Sequence, residues 1–141
     1  MKVRFKKLYP NAVAPTRAHE TDAGFDMTAI AYEIDDRLGI ITYHTGIALE
    51  IPEGHAGFLF PRSSVYKQQL QLSNCVGIID SGYRNEVMLK YRVEPEMTRF
   101  YAPGDRVGQL VIMPYPSIEF EEAEELSDSD RGEGGFGSTG K

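Results

Sequence analysis

The chain is cut into short pieces. Runs of about four to eight β-branched and aromatic residues alternate with Gly, Pro, Asn and Asp, and the breaks recur roughly every 8–12 residues. Such frequent interruption leaves no room for long helices. It favours antiparallel strands that bury one face each, as a sandwich or a barrel. The runs fall at 2–8, 24–29, 38–42, 45–51, 56–61, 76–79, 86–93, 98–101, 107–114 and 117–121. Within the first, Val3 and Phe5 share one face. Only residues 63–70 read as helix. The expected fold class is therefore all-β, with at most one short helix.

Charge divides the chain more sharply than hydropathy does. The net charge is −6, yet residues 1–118 carry 13 basic and 13 acidic side chains. The whole excess lies in 119–141, where Glu119, Glu121, Glu122, Glu124, Glu125, Asp128 and Asp130 crowd together. A neutral body offers no broad basic face to nucleic acid. The expected division is a β-domain over 1–118, an acidic spacer over 119–130 and a mobile lid over 131–141. That last stretch has five glycines in 11 residues and cannot hold a strand or helix alone. At 141 residues, 41% hydrophobic and 26% charged, the chain suits one ordinary globular domain. No apolar run approaches the ~18 residues of a membrane span, and the N-terminal stretch lacks the apolar core of a secretory signal. A single cysteine, Cys75, excludes an intrachain disulfide, and His19, His44 and His55 lack zinc-ligand spacing. A reducing, cytoplasmic setting is the simplest expectation.

Five segments could carry chemistry. In the tail, glycine N–H groups together with Arg131, Ser138 and Thr139 suit an anion; a terminus without a role is the alternative. Phe136 stands out in that solvated run. It would stack on a base or dock on a neighbouring subunit. Pro61-Arg62-Ser63-Ser64 follows an apolar strand and reads either as a phosphate clamp at a helix start or as a plain Ser cap beside a surface Arg. Residues 74–86 read as a β-hairpin, with Asp80 at the strand end as turn-former or as a base for water. Tyr83 within it is a core ring or a ring offered to a sugar. Asp26 sits between apolar neighbours on a short strand. Either a backbone or Arg partner satisfies it, or it helps hold a hydrated cation. Gln109 interrupts the buried strand at 107–114 and needs partners.

Taken together, the segments AGFDMTA (23–29), PRSS (61–64), GIIDSGYRNE (77–86), GDRVGQLV (104–111) and RGEGGFGSTG (131–140) resemble, in order and spacing, the five motifs of the all-β dUTPase family. These enzymes hydrolyse dUTP to dUMP and pyrophosphate. The resemblance implies a distorted β-barrel or jelly-roll subunit, a homotrimer with active sites shared between subunits, and Mg²⁺ as cofactor. By similarity, Asp80 activates the water that attacks the α-phosphorus, and Tyr83 packs on the deoxyribose. Asn74 and the backbone of Gly77, Ile78 and Ile79 read uracil beside Met88. Arg62, Ser63, Ser64 and Gln109 hold phosphates. Arg131, Phe136, Gly137, Ser138 and Thr139 close the site, and Asp26 lies near the hydrated magnesium.

The sequence departs from the family pattern at Ser64 and Asn85, where Gly is frequent, and at Gly82, where a second Asp is common. These changes bear on rate and selectivity more than on reaction type. Two other readings remain. One is a dCTP deaminase of the same superfamily, although the glycine-rich closure argues against it. The other is a nucleotide-sensing regulator on this scaffold that recruits a protein partner. No nucleic-acid or membrane partner is expected.

Overall fold

The computed structural model describes residues 1–94 and 96–135. Its strands are β1 (Arg4–Lys7), β2 (Phe25–Thr28), β3 (Ala31–Asp35), β4 (Ile40–Glu50), β5 (His55–Phe60), β6 (Leu70–Leu72), β7 (Gly77–Ile79), β8 (Glu86–Val93) and β9 (Arg106–Pro114). They form two antiparallel sheets. One runs β1-β4-β8-β6, with β3 also paired to β4; the other runs β2-β9-β5-β7. β3 and β1 pair with successive halves of β4, Ile40–His44 and Ile47–Glu50. The result is the all-β, jelly-roll type of fold that the punctuated sequence calls for.

Alternation along the strands builds the core. Ile41, Tyr43, Ile47 and Leu49 of β4 and Val87, Leu89 and Tyr91 of β8 are buried. They meet Met27, Leu59, Ile79 and Leu110 of the opposite sheet in one apolar cluster. Three tyrosines stand inside it. The rings of Tyr43, Tyr91 and Tyr101 meet edge to face, with centroids 5.9–6.2 Å apart. A buried hydroxyl is costly unless it is paired; two of the three are, and among the described residues Tyr101 Oη has no hydrogen-bond partner. Tyr43 Oη donates to the Tyr101 carbonyl at 3.1 Å and accepts the Tyr101 N–H at 3.0 Å. Tyr91 Oη donates to the Val107 carbonyl at 2.6 Å. Burial pushes all three hydroxyls above the ordinary tyrosine range.

Several expectations change in detail. The runs at 38–42 and 45–51 form one 11-residue strand, β4, because a bulge at Gly46 (φ +66°) lets the chain continue instead of turning. The helix at 63–70 shrinks to a 3-10 helix, Ser63–Lys67, and the chain then enters β6 with Leu70 and Leu72 buried. β3 falls outside the expected runs: it is five residues long and wholly exposed, with Tyr32 and Ile34 on one face, and pairing with β4 and the Tyr32 ring against Tyr43 and Phe100 hold it. Residues 98–101 and 117–121 are not strands. The hairpin expected over 74–86 is absent as well. β7 pairs with β5, whereas β8 pairs with β4 and β6, so the stretch between Ile79 and Glu86 steps from one sheet to the other. That stretch is too long for a two-residue turn, and both strand ends are already paired elsewhere.

The tyrosine cluster sets the alkaline limit of stability. With native pKa values raised by burial, its contribution is complete below the unfolded tyrosine pKa of about 10 and is lost as pH rises beyond it. Thermal melts should stay flat to about pH 9 and fall steeply above about pH 10. Tyr43→Phe strands the Tyr101 N–H in the core and should cost about 1–3 kcal/mol in urea unfolding at neutral pH.

Candidate active site

The first functional cluster forms a row across the outer face of the second sheet. Asp26 on β2 pairs with Gln109 on β9, and Gln109 pairs with Phe60 on β5. Cross-strand partners project to the same side, so the strand end at Pro61 lands beside both polar groups. Arg62 Nε donates to Asp26 Oδ1 at 2.8 Å, and Arg106 Nη1 donates to Oδ2 at 3.0 Å. Gln109 Nε2 donates to the Pro61 carbonyl at 3.0 Å. Gly24 leaves room for this arrangement, because a Cβ at that position would push the Gln109 side-chain amide out of place. These groups line a shallow polar concavity with Asp22 and Ser63. Asp22 is held below the usual carboxylate range, chiefly by the His19 backbone N–H, which it accepts at 2.9 Å. Ser63 is exposed and Ser64 half-buried at the start of the 3-10 helix.

The second cluster is a cleft where the two sheets part, between β7 and β8. Asn74, Gly77, Tyr83, Met88, Leu59 and Leu89 line it. Its loop is held by Ser73 N–H on the Lys90 carbonyl at 2.9 Å and Cys75 N–H on the Leu72 carbonyl at 3.1 Å. Asp80 follows β7 directly and is exposed; its carbonyl accepts the Tyr83 N–H at 3.0 Å. That turn carries the Tyr83 ring over to β8, where its hydroxyl donates to the Glu86 carbonyl at 3.0 Å. Ile78 and Ile79 flank the cleft, Ile78 outward and Ile79 in the core.

One chain thus brings Asn74, Gly77, Ile78, Ile79, Tyr83 and Met88 together, with Asp80 in the turn beside them. It separately gathers Asp26, Arg62, Ser63 and Gln109. No residue lines both cavities. Arg131 reaches neither, since its Nε donates to the Gly134 carbonyl at 2.8 Å within the tail's own turn. The sequence-assigned Phe136, Gly137, Ser138 and Thr139 lie outside the described residues. Sequence reasoning missed Arg106 as the second partner of Asp26. The only available signal was its place three residues before Gln109 in the segment at 104–111.

Each oxygen of Asp26 accepts a guanidinium, so the carboxylate orders two arginines. Among the described residues, no group of three or more His, Cys, Asp or Glu side chains gathers to hold a metal. Among the described residues, then, none gather as direct ligands for a protein-held magnesium. In addition, no helix among the described residues is long and apolar enough to cross a membrane.

Comparison with known proteins gives one answer by sequence and by structure. A family model described as dUTPase matches residues 10–140. The deoxyuridine 5'-triphosphate nucleotidohydrolase of Thermobifida fusca is 38% identical over 142 residues, covering 99% of this chain and 79% of the relative. The one from Corynebacterium glutamicum is 39% identical over 141 residues, covering 99% and 93%. A solved structure of the Staphylococcus bacteriophage 80alpha dUTPase with dUPNHPP superposes with a TM-score of 0.84 at 30% identity, over 99% of each chain. A mutant dUTPase from phage phi11 of S. aureus, described as showing the coordination of a structural Mg(II) ion, gives 0.75 at 25% identity, over 89% of this chain and 99% of that one.

Asp26→Ala removes the shared acceptor and leaves the partly buried Arg62 charge unpaired. The expected outcome is a loss of about 1–3 kcal/mol in urea unfolding. Arg106→Ala, whose side chain is half exposed, should cost under about 1 kcal/mol in the same measurement.

Proposed function

The chain belongs to the dUTPase family, and we propose that it hydrolyses dUTP to dUMP and pyrophosphate with Asp80 as the base that activates water. The observation that carries the reading is the position of Asp80. It is an exposed carboxylate at the end of β7, in the turn that also delivers Tyr83 to the cleft. Asp80 takes a proton as the water oxygen bonds to the α-phosphorus. The bond from that phosphorus to the α,β-bridging oxygen breaks, and pyrophosphate leaves. Catalysis of this kind is mostly positioning and charge compensation.

The other residues divide that work. Asn74 and the backbone of Gly77, Ile78 and Ile79 read the uracil edge beside Met88. Cytosine offers a donor where uracil offers an acceptor, so fixed groups there would reject it. Tyr83 packs against the deoxyribose and leaves no room for a 2′-hydroxyl. Arg62, Ser63, Ser64 and Gln109 hold phosphates, with Arg62 aimed in advance by Asp26. Arg131, Phe136, Gly137, Ser138 and Thr139 close over the substrate at the end of the acidic spacer, and that closure gates turnover. Magnesium enters as the metal complex of the triphosphate and lowers the charge the arginine must meet.

The site needs more than one copy of the chain, and we assign a homotrimer. Two features support this. The base cleft and the Arg62 cluster line separate cavities in one subunit. Beside the polar row of Asp26 and Gln109, the outer face of the second sheet carries an apolar strip, with half-buried Phe58, Phe60 and Val111 on adjoining strands and Ile78 at 67% exposure. An apolar sheet face of this kind marks an interface.

The test is pyrophosphate release from dUTP, dCTP, dTTP and UTP. Release from dUTP alone is expected. Ammonia from dCTP would move the assignment to a deaminase, and inertness toward all four would leave a binding protein. Asp80→Asn should lower kcat on dUTP by about 10²–10⁴-fold with nucleotide affinity retained in calorimetry; undiminished turnover would remove Asp80 from the mechanism. Chelation by EDTA should suppress turnover yet leave the melting temperature of the nucleotide-free protein unchanged. A drop in that temperature would reveal a protein-held ion.

A further inference from the structure

Glu86 opens β8 and has no part in the chemistry above, yet it connects three separate elements. Its side chain is only 13% exposed. Oε1 accepts the Gly46 N–H at 2.7 Å, and Oε2 lies 3.0 Å from His44 Nδ1, which donates to it. Its backbone carbonyl accepts the Tyr83 hydroxyl at 3.0 Å. The far nitrogen of His44, Nε2, faces Glu33 Oε1 at 3.8 Å.

The carboxylate contacts fall on the one irregular point of the β4–β8 ladder. Pairing jumps from His44 with Met88 to Ala48 with Glu86, so β4 spends two extra residues there. Gly46 takes the slack at φ +66°, and a Cβ on it would run into Ile30 and Ala12. Its N–H therefore turns out of the ladder and needs another acceptor. Glu86 provides one, and Thr45 Oγ1 ties the same bulge to the Val87 carbonyl at 2.6 Å. Bulges re-aim the strand beside them, and the strand here is the wall of the base cleft, which carries Met88. Tyr83 is 37% exposed. Its hydroxyl contact with the Glu86 carbonyl therefore matters for keeping the ring in one position.

We propose that Glu86 is a positioning residue for sugar selection: its carboxylate clamps the start of β8 to the β4 bulge, and its carbonyl pins the Tyr83 ring where the deoxyribose lies. This rests on the reading of Tyr83 as the sugar-facing ring. Exclusion of a hydroxyl by a wall is only as strong as the wall is stiff. A ring released from its tether would yield to the ribose 2′-hydroxyl, and the enzyme would accept UTP more readily.

The experiment compares kcat/KM for dUTP and UTP in the wild type, Glu86→Ala, Glu86→Gln and Tyr83→Phe. In Glu86→Ala the dUTP preference should fall by about 10-fold, through a higher KM for dUTP and a higher kcat/KM for UTP. The kcat on dUTP should stay within about threefold, because Asp80 is untouched. Glu86→Gln keeps an acceptor for Gly46 and should restore most of the preference. Tyr83→Phe, which loses only the hydroxyl tether, should shift the preference in the same direction as Glu86→Ala. A folded Glu86→Ala with wild-type preference overturns the proposal. So does Tyr83→Phe at wild-type preference, whatever Glu86→Ala does; if Glu86→Ala fails to fold, Tyr83→Phe alone decides. A wild type that hydrolyses dUTP and UTP equally would instead overturn the reading of Tyr83 on which the proposal rests.

Discussion

The pairing of β4 with β8 is the constraint that the rest of the molecule answers to. On its inner side it presents Tyr43, Leu89 and Tyr91 to the opposite sheet. At its far end it ends in a bulge, and that bulge sets the angle at which β8 leaves toward the cleft. Core and site are therefore two ends of one ladder. The tyrosine hydroxyls show the same economy. Each ring fills the core, and the Tyr43 and Tyr91 hydroxyls also tie down the backbone at 101 and 107. Those two points bracket the turn that feeds β9, the strand on which Gln109 sits.

The two functional clusters differ in how they are stabilised, and the difference follows from what each must bind. Around Asp26 the solution is electrostatic. One carboxylate satisfies two guanidiniums before any ligand arrives, so Arg62 is already aimed and the resting charge is small. The triphosphate of the proposed substrate would compete with Asp26 for those donors, and a partly exposed pair yields at modest cost. Around the cleft the solution is geometric. Backbone bonds across the loop at 73–76 and the turn at 80–83 fix where donors and acceptors point. Base reading needs that fixity more than it needs charge.

How much was legible in the sequence depended on which force shaped each part. Strands with a buried face announced themselves: β2, β5, β8 and β9 all fall where alternating or apolar runs predict them. β3 did not, because its alternation of Tyr32 and Ile34 with Glu33 and Asp35 is only five residues long and wholly exposed, too short a pattern to stand out. β4 was read as two runs, 38–42 and 45–51, and only its continuous pairing with β3, β8 and β1 shows that Tyr43 and His44 join them and that Gly46 is a bulge within one strand. The hairpin over 74–86 failed for a related reason: local sequence cannot say that both strands have better partners elsewhere. At the site, residue types were legible and pairings were not. Arg62, Gln109, Asp80 and Tyr83 stood out as chemistry. That Asp26 binds Arg106, 80 residues away, was invisible until the sheet register was known.

The departures from the family pattern can now be weighed physically. At position 85, where the family pattern frequently has Gly, the backbone is not left-handed: among the described residues only Cys75 and Glu96 take positive φ without being glycine. Position 85 thus makes no demand that glycine alone could meet, and Asn costs the turn nothing there. Gly82 has open space around the site of a Cβ, so a larger residue would fit, and the absence of an aspartate there is purely a matter of charge. Asp80 is then the only carboxylate in the turn from 80 to 85, which it shares with Arg84. Arg84 spends its guanidinium on the Ser81 and Tyr83 carbonyls, which stiffens the turn and sets a cation in the same turn as Asp80. Removing one negative charge from this turn lowers the repulsion that a triphosphate meets on approach, by an amount that falls with salt because the turn is solvated. The substitution at 82 therefore acts through charge alone, and those at 82 and 85 leave intact both the fold and Asp80.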